Sequence, residues 1–323
     1  MKVYVTRLIP DPGIPLLEEH FDVEVRDSEG PITKAELLEK VPGIDGLLCL
    51  LTDPVDADVI AAGTDLVCIS NYAVGFNNID VKAATEKGII VTNTPGVLTD
   101  TTADFAFCLL MAAARRVVEA DKFLRAGKFI GWDPMLMLGA DIHGKTLGIV
   151  GFGKIGRGMA ARARGFGMKV LYHDAYRADE ADEDALGAEF ASLDDIFKRS
   201  DFISLHVPLT EGTRHLIGPK ELEAMKPTAI LINSSRGPVV DEKALAEALK
   251  DGTIAAAGLD VFENEPKVNE LLLSLPNAVL APHIASASIA TRSLMAKLAA
   301  ENMIAALSGE MPKFPVNPEV LDG

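Results

Sequence analysis

Arg236, Glu265 and His283 are the side chains of this sequence best suited to act on one small molecule together. Arg236 lies in Asn233-Ser-Ser-Arg-Gly237, Glu265 in Leu259-Asp-Val-Phe-Glu-Asn-Glu-Pro266, and His283 in Ala281-Pro-His-Ile284. An arginine grips a carboxylate through two parallel N–H donors. A histidine titrates near neutrality, and a neighbouring carboxylate favours its imidazolium, which can then give up a proton. With a hydride source on the carbonyl face, this is the equipment for reducing a small 2-oxo acid. Taken singly, each residue has an ordinary use: a surface ion pair, a solvated turn before proline, or a ring bonded to backbone carbonyls. Each follows one of three successive strand-like runs, and the carboxyl ends of strands are where open α/β sheets bind ligands. The coincidence favours chemistry.

The hydride source is implied by Gly151, Gly153 and Gly156, a GxGxxG that directly follows an apolar run and opens a helical one. The first glycine permits the tight turn, the second lets a pyrophosphate approach the backbone, and the third packs helix on strand. The free N–H groups of the helix start add partial positive charge. Asp174 ends the next strand-like run, about 20 residues on, where a carboxylate accepts from ribose hydroxyls and repels a 2′-phosphate. NAD, as NADH, is therefore the expected cofactor. NADP is not excluded, because the nearby Arg177 could take the phosphate. His206, at another strand end, either touches the cofactor or terminates the strand.

These residues need elements to hold them. Strand-like runs at 3–9, 23–26, 46–51, 66–70 and 89–92 alternate with helical ones, and Thr33 with Glu36 reads as a capping box. A second series carries strands at 146–150, 169–173, 202–206, 229–232, 255–261 and 279–281, with long helices at 99–115 and about 288–307. Strict alternation implies parallel sheets covered on both faces. The 323 residues are enough for two such domains. Between the series, residues 128–143 show no period yet hold Trp132, Pro134, Met135, Leu136, Met137 and Leu138. An aperiodic apolar stretch of that length is either an arm for a second subunit or a loop tucked onto its own core.

The net charge of −16 argues against nucleic acid as a partner, and obliges any site for a small anion to carry its own buried cation. No apolar run suggests a membrane span, and Met1 leads directly into a strand without a secretory pattern. Cys49, Cys68 and Cys108 lack CxxC spacing and read as reduced core thiols, with the cytoplasm as the default compartment. With no HExxH, cysteine cluster or closely spaced histidine–carboxylate set, no metal is expected.

The sequence resembles the D-isomer-specific 2-hydroxyacid dehydrogenase family along nearly its whole length, in particular the branch that reduces glyoxylate and hydroxypyruvate. The resemblance is carried by Leu47-Leu-Cys-Leu-Leu-Thr52, Val74-Gly-Phe-Asn-Asn-Ile-Asp80, Thr94-Pro-Gly-Val-Leu-Thr-Asp-Thr-Thr-Ala103, the turn at Gly151, Asn233 to Gly237, Leu259 to Pro266 and Pro282 to Ala285. It implies that Arg236, Glu265 and His283 are catalytic, and that the Val74 and Gly75 backbone holds the substrate carboxylate beside Leu51. It further implies that Lys154, Ile155, His206, Val207, Pro208, Thr213, Ser234, Ser235, Arg236 and Asp260 line the cofactor. The implied fold is two doubly wound parallel-sheet domains: a Rossmann cofactor domain (99–287) inserted into a flavodoxin-like substrate domain (1–98 and 288–323). A hinge would close over the substrate. The implied assembly is a homodimer in which an arm around 115–145 brings Trp132 to the partner's site. D-lactate or D-3-phosphoglycerate oxidation, or a dinucleotide-sensing corepressor on the same fold, are the alternatives.

Overall fold

The computed structural model describes residues Met1 to Leu321. Two compact units are present: Met1–Leu98 with the chain from Ala287 onward, and Thr99–Ser286. Asp322 and Gly323, which close the expected segment 288–323, lie outside the described residues.

The first unit holds a parallel sheet of β1 (Lys2–Val5), β2 (Asp22–Val25), β3 (Gly46–Cys49), β4 (Cys68–Asn71) and β5 (Ile90–Thr92). Its spatial order, β2-β1-β3-β4-β5, is the flavodoxin-like winding. The inner strands β3 and β4 are buried at every position, which is why they read as continuous apolar runs rather than alternating ones. Polar ties bring the C-terminal segment back to this sheet. Ser70 Oγ donates to the Ala299 carbonyl at 2.9 Å and Asn302 Nδ2 to the Asn93 carbonyl at 3.0 Å. Asn317 accepts from the Val91 N–H at 2.8 Å and donates to the Ile89 carbonyl at 2.9 Å. The Thr33–Glu36 capping box is present at the start of helix Lys34–Lys40.

The second unit carries β6 (Thr146–Val150), β7 (Lys169–His173), β8 (Ala188–Phe190), β9 (Phe202–Leu205), β10 (Ile230–Asn233), β11 (Ala256–Leu259) and β12 (Ala278–Leu280). Their order, β12-β11-β10-β9-β6-β7-β8, places the first strand of the unit centrally and reverses direction beside it. This is the dinucleotide-fold winding. Helix Thr99–Ala114 contributes Ala103, Ala106, Leu109 and Leu110 to the core beneath the sheet.

Three features depart from the sequence reading. Edge strand β8 is only three residues long, too short to give a periodic signal. Helix Val117–Arg125, an element not read from the sequence within the expected arm, buries none of its residues. Cys49 and Cys68 are buried, but Cys108 is exposed: it falls on the outer face of helix Thr99–Ala114, and the generally apolar composition of that helix hid which face it occupies. Among the described residues no helix is long and apolar enough to cross a membrane.

Candidate active site

The glycine turn sits between β6 and helix Lys154–Gly165. Gly151 has φ of +93°, and a Cβ there would lie 2.6 Å from the His206 carbonyl carbon. Only glycine lets the turn after β6 touch the turn after β9. A Cβ on Gly156 would meet the Gly151 carbonyl oxygen at 2.1 Å, whereas one on Gly153 would meet nothing within 4 Å. The space over Gly153 is open, and the helix that follows has no side-chain cap for its first N–H groups. The Ser234 hydroxyl, after β10, is buried without a hydrogen-bond partner. An open cradle, uncapped amides and an orphaned hydroxyl fit a bound dinucleotide phosphate and its sugar. Asp174 closes the turn from below, its Oδ2 accepting the Phe152 N–H at 2.6 Å and its Oδ1 the Tyr176 N–H at 3.4 Å.

Other residues of the expected cofactor lining are committed to the protein. His206 pairs Nε2 with the Ser204 hydroxyl at 2.8 Å, and burial pushes its imidazole down to about 4. It is neutral at working pH and no proton donor. Thr213 Oγ1 accepts from Thr210 N at 2.8 Å and donates to the Pro208 carbonyl at 2.6 Å, stapling the loop after β9. Ser235 donates its hydroxyl to Asn233 Oδ1 at 2.8 Å.

Arg236, Glu265 and His283 come together at the ends of β10, β11 and β12. Asn233, the last residue of β10, folds its turn by donating to the Arg236 carbonyl at 3.0 Å and accepting from Ser235 N at 3.0 Å. Arg236 Nη1 donates to the Ser235 carbonyl at 2.7 Å. Burial lowers the pKa of its guanidinium and the nearby Glu265 carboxylate works against that, so the cation is retained. A Cβ on Gly237 would lie 1.8 Å from the Phe262 carbonyl oxygen, so the Arg236 turn and the Glu265 loop are in backbone contact.

Glu265 Oε2 meets His283 Nδ1 at 2.8 Å, and Oε1 accepts the Phe262 N–H at 3.0 Å. Burial acts to raise the Glu265 pKa, but the hydrogen bond and charge of His283, with Phe262 N–H and Arg236, outweigh it and hold the carboxyl below its ordinary value. With Nδ1 committed to Glu265, Nε2 is the ring nitrogen left for proton transfer. His283 itself has φ of +56°, a left-handed conformation that costs about 1–3 kcal/mol outside glycine. Hydrogen bonds from the surrounding backbone and Asp260 hold it in that conformation. His283 N donates to the Asp260 carbonyl at 2.9 Å. The wholly buried Asp260 side chain takes the Ile284 and Ala285 N–H groups at 2.7 Å each, charge-assisted bonds worth about 1.5–3 kcal/mol apiece. Burial raises the Asp260 pKa despite those amides. Its carboxylate therefore positions the histidine turn, a role the sequence did not reveal.

Glu242 is a second unforeseen contributor. It is 8% exposed, and its two oxygens accept the Glu263 and Asn269 N–H groups at 2.7 Å each, gripping both ends of the loop that presents Glu265.

In the first unit, Val74 and Gly75 follow β4. Asn93 Nδ2 donates to the Val74 carbonyl at 2.7 Å and Asn71 Nδ2 to the Gly75 carbonyl at 2.9 Å. Neither residue's N–H makes a hydrogen bond among the described residues. Leu51 lies in the turn after β3, where Asp53 accepts Leu50 N at 2.7 Å and Asn78 donates to the Leu50 carbonyl at 3.0 Å. Trp132 is 85% exposed and Ile130 fully so.

Residues 107–285 match the family model described as D-isomer specific 2-hydroxyacid dehydrogenase, NAD binding domain. A glyoxylate reductase of Korarchaeum cryptofilum (strain OPF8) is 56% identical over 322 residues, covering 99% of this chain and 97% of that one. A crystal structure of a protein from Thermus thermophilus superposes with a TM-score of 0.93 at 45% identity, covering 98% of this chain and 100% of that one. An NADPH-dependent glyoxylate/hydroxypyruvate reductase from Sinorhizobium meliloti, in complex with NADP and malonate, superposes at 0.83 with 33% identity, covering 98% and 96%.

Glu242→Ala should lower kcat about ten- to hundredfold with a smaller change in KM, since small misplacements of a catalytic group cost rates of that order. In a Glu265→Gln background the same change should cost less than twofold, and losses that simply multiply would mean Glu242 acts elsewhere. In an NMR titration the His206 ring signals should stay constant from pH 8 to pH 5 and move only near pH 4, and a transition near 6.5 would remove the neutral assignment.

Proposed function

This chain belongs to the D-isomer specific 2-hydroxyacid dehydrogenase family and is an oxidoreductase that uses a nicotinamide dinucleotide, and from that premise we propose that it reduces glyoxylate to glycolate, with hydroxypyruvate as a second substrate and NADH as the preferred reductant. The observation that carries the chemistry is the 2.8 Å contact of His283 with Glu265 one loop away from Arg236. The family relatives named for glyoxylate reduction supply the substrate. They do not favour the D-lactate, D-3-phosphoglycerate or binding-only alternatives.

In this reading Arg236 holds the substrate carboxylate and polarises the keto oxygen; the family resemblance makes the N–H groups of Val74 and Gly75 substrate-binding as well. Leu51 limits the room for a substituent. His283 Nε2–H delivers the proton to the keto oxygen, and Glu265, bonded to Nδ1, orients the ring for that transfer. When bound, the reduced nicotinamide supplies the hydride that the carbonyl carbon accepts. Gly151, Gly153, Gly156, Lys154 and Ile155 hold the pyrophosphate at the helix start, and Ser234 offers its orphaned hydroxyl. His206, Val207, Pro208, Thr213, Ser235 and Asp260 line the cofactor chiefly through backbone and shape, because their polar side chains are already bonded.

The preference for NADH rests on Asp174. One of its oxygens is fixed on the glycine turn and the other makes only a long contact, so a ribose diol can bind there and a 2′-phosphate is repelled. A homodimer in the cytoplasm completes the reading. Phe129, Ile130, Trp132, Met135 and Leu138 are each more than half exposed, an apolar display suited to a second subunit, with Trp132 closing the partner's substrate site.

Steady-state assays with NADH and glyoxylate, hydroxypyruvate or pyruvate should give the highest kcat/KM for glyoxylate, and a tenfold preference for pyruvate would replace this assignment. Trp132→Ala should raise KM for glyoxylate several-fold or shift the sedimentation profile towards monomer. A parent protein that sediments as a monomer at micromolar concentration would end the arm hypothesis.

A further inference from the structure

The corner around Asp174 contains two arginines, and both are already taken. Arg157 Nε donates to the Phe152 carbonyl at 3.2 Å, on the residue whose N–H Asp174 accepts, and its guanidinium pairs with Asp182. Arg177, three residues past Asp174, makes a two-pronged contact with Glu183, Nε to Oε1 at 2.9 Å and Nη2 to Oε2 at 2.8 Å. Asp182 and Glu183 are neighbours on the short helix Glu180–Leu186.

A surface ion pair ordinarily gives way to a stronger anion, because it is worth at most about 1 kcal/mol. The Glu183 pair is built differently. The Glu183 side chain is only 10% exposed against 66% for Arg177. Its Oε1 also accepts the hydroxyl of the buried Tyr172 at 2.5 Å, and the Tyr172 ring stacks on Phe152 with centroids 3.9 Å apart. The Tyr172 hydroxyl in turn accepts the Ala178 N–H at 2.9 Å. Arg177, and after it the Tyr172 hydroxyl, hold the Glu183 carboxyl at about 2, so it stays ionised at working pH. The acceptor is thus fixed in the core and the exposed arginine is tethered to it.

Resting on the reading of Asp174 as the ribose partner, we propose that Glu183, with Asp182 beside it, sets cofactor choice by keeping Arg177 and Arg157 from reaching a 2′-phosphate. Asp174 repels the phosphate, and the helix carboxylates withhold the two cations that could otherwise compensate. Glu183 is a positioning residue here, acting through Arg177 rather than on the cofactor.

The test is binding of NADPH and NADH to the full-length protein, followed by nicotinamide fluorescence, with adenosine 2′,5′-bisphosphate and 5′-AMP as competitors that isolate the 2′-phosphate. Glu183→Gln, made in the parent and in Asp174→Ala, should lower the ratio of Kd for NADPH to Kd for NADH. In the Asp174→Ala background we expect about tenfold beyond Asp174→Ala alone, the value of one released arginine–phosphate contact. Adding Arg177→Ala should abolish that gain. Asp182→Asn, which releases Arg157, should move the ratio the same way. A ratio within twofold of its starting value after Glu183→Gln, or a gain that survives Arg177→Ala, would overturn the proposal. Should Glu183→Gln not fold, Arg177→Ala in Asp174→Ala decides: the ratio stays within twofold if Glu183 sequesters Arg177, and a rise overturns the idea. If Asp174→Ala leaves the ratio unmoved while Glu183→Gln lowers it, the ribose assignment fails and the Glu183 mechanism stands.

Discussion

The bond between Glu265 Oε2 and His283 Nδ1, 2.8 Å long, can exist only if two separate loops are held in register. Much of the surrounding structure does that holding. β11 and β12 are adjacent parallel strands, so their carboxyl ends bring the two loops side by side. Asp260 fixes the histidine turn through three consecutive residues, taking the His283 N–H on its carbonyl and the Ile284 and Ala285 N–H groups on its side chain. Glu242 grips the glutamate loop at both ends. The bare α-carbon of Gly237 lets the Arg236 turn lie directly on Phe262. Two buried carboxylates spent on backbone amides are an expensive way to shape a surface turn unless the geometry of what it carries matters.

Local patterns made part of this arrangement legible in advance. The spans of β6 and β7 and the capping box at Thr33 follow from neighbouring residues alone, and the structure contains them. Arg236, Glu265 and His283 could be singled out because each stands just past an apolar run, and strand ends of a parallel sheet converge. Glu242 and Asp260 could not be assigned their tasks. Each acts on amides 21 to 27 residues away, and a carboxylate near a helix start or strand end has many cheaper uses. The Arg177 question had the same character. Sequence proximity to Asp174 left its role open, and only the fold of helix Glu180–Leu186 shows it facing Glu183. A faint signal existed, since Glu180, Asp182, Glu183 and Asp184 crowd one short helix.

Charge is handled differently inside the site and over the rest of the protein. A chain of net charge −16 discourages anions at a distance. Arg236 keeps its charge half-buried beside Glu265, where screening by solvent is weaker than on the surface. His206, only 30 residues earlier, is held neutral by the same kind of burial with a serine rather than a carboxylate as its partner.

Arg236, Glu265 and His283 lie within Thr99–Ser286, whereas Leu51, Val74 and Gly75 belong to the other compact unit. The two sets of residues stand on separately wound sheets with separate cores. The hydrogen bonds that shape the turns after β3 and β4 share no residue with those that shape the turns after β11 and β12. Remodelling one set of turns therefore requires no compensating change in the bonding of the other.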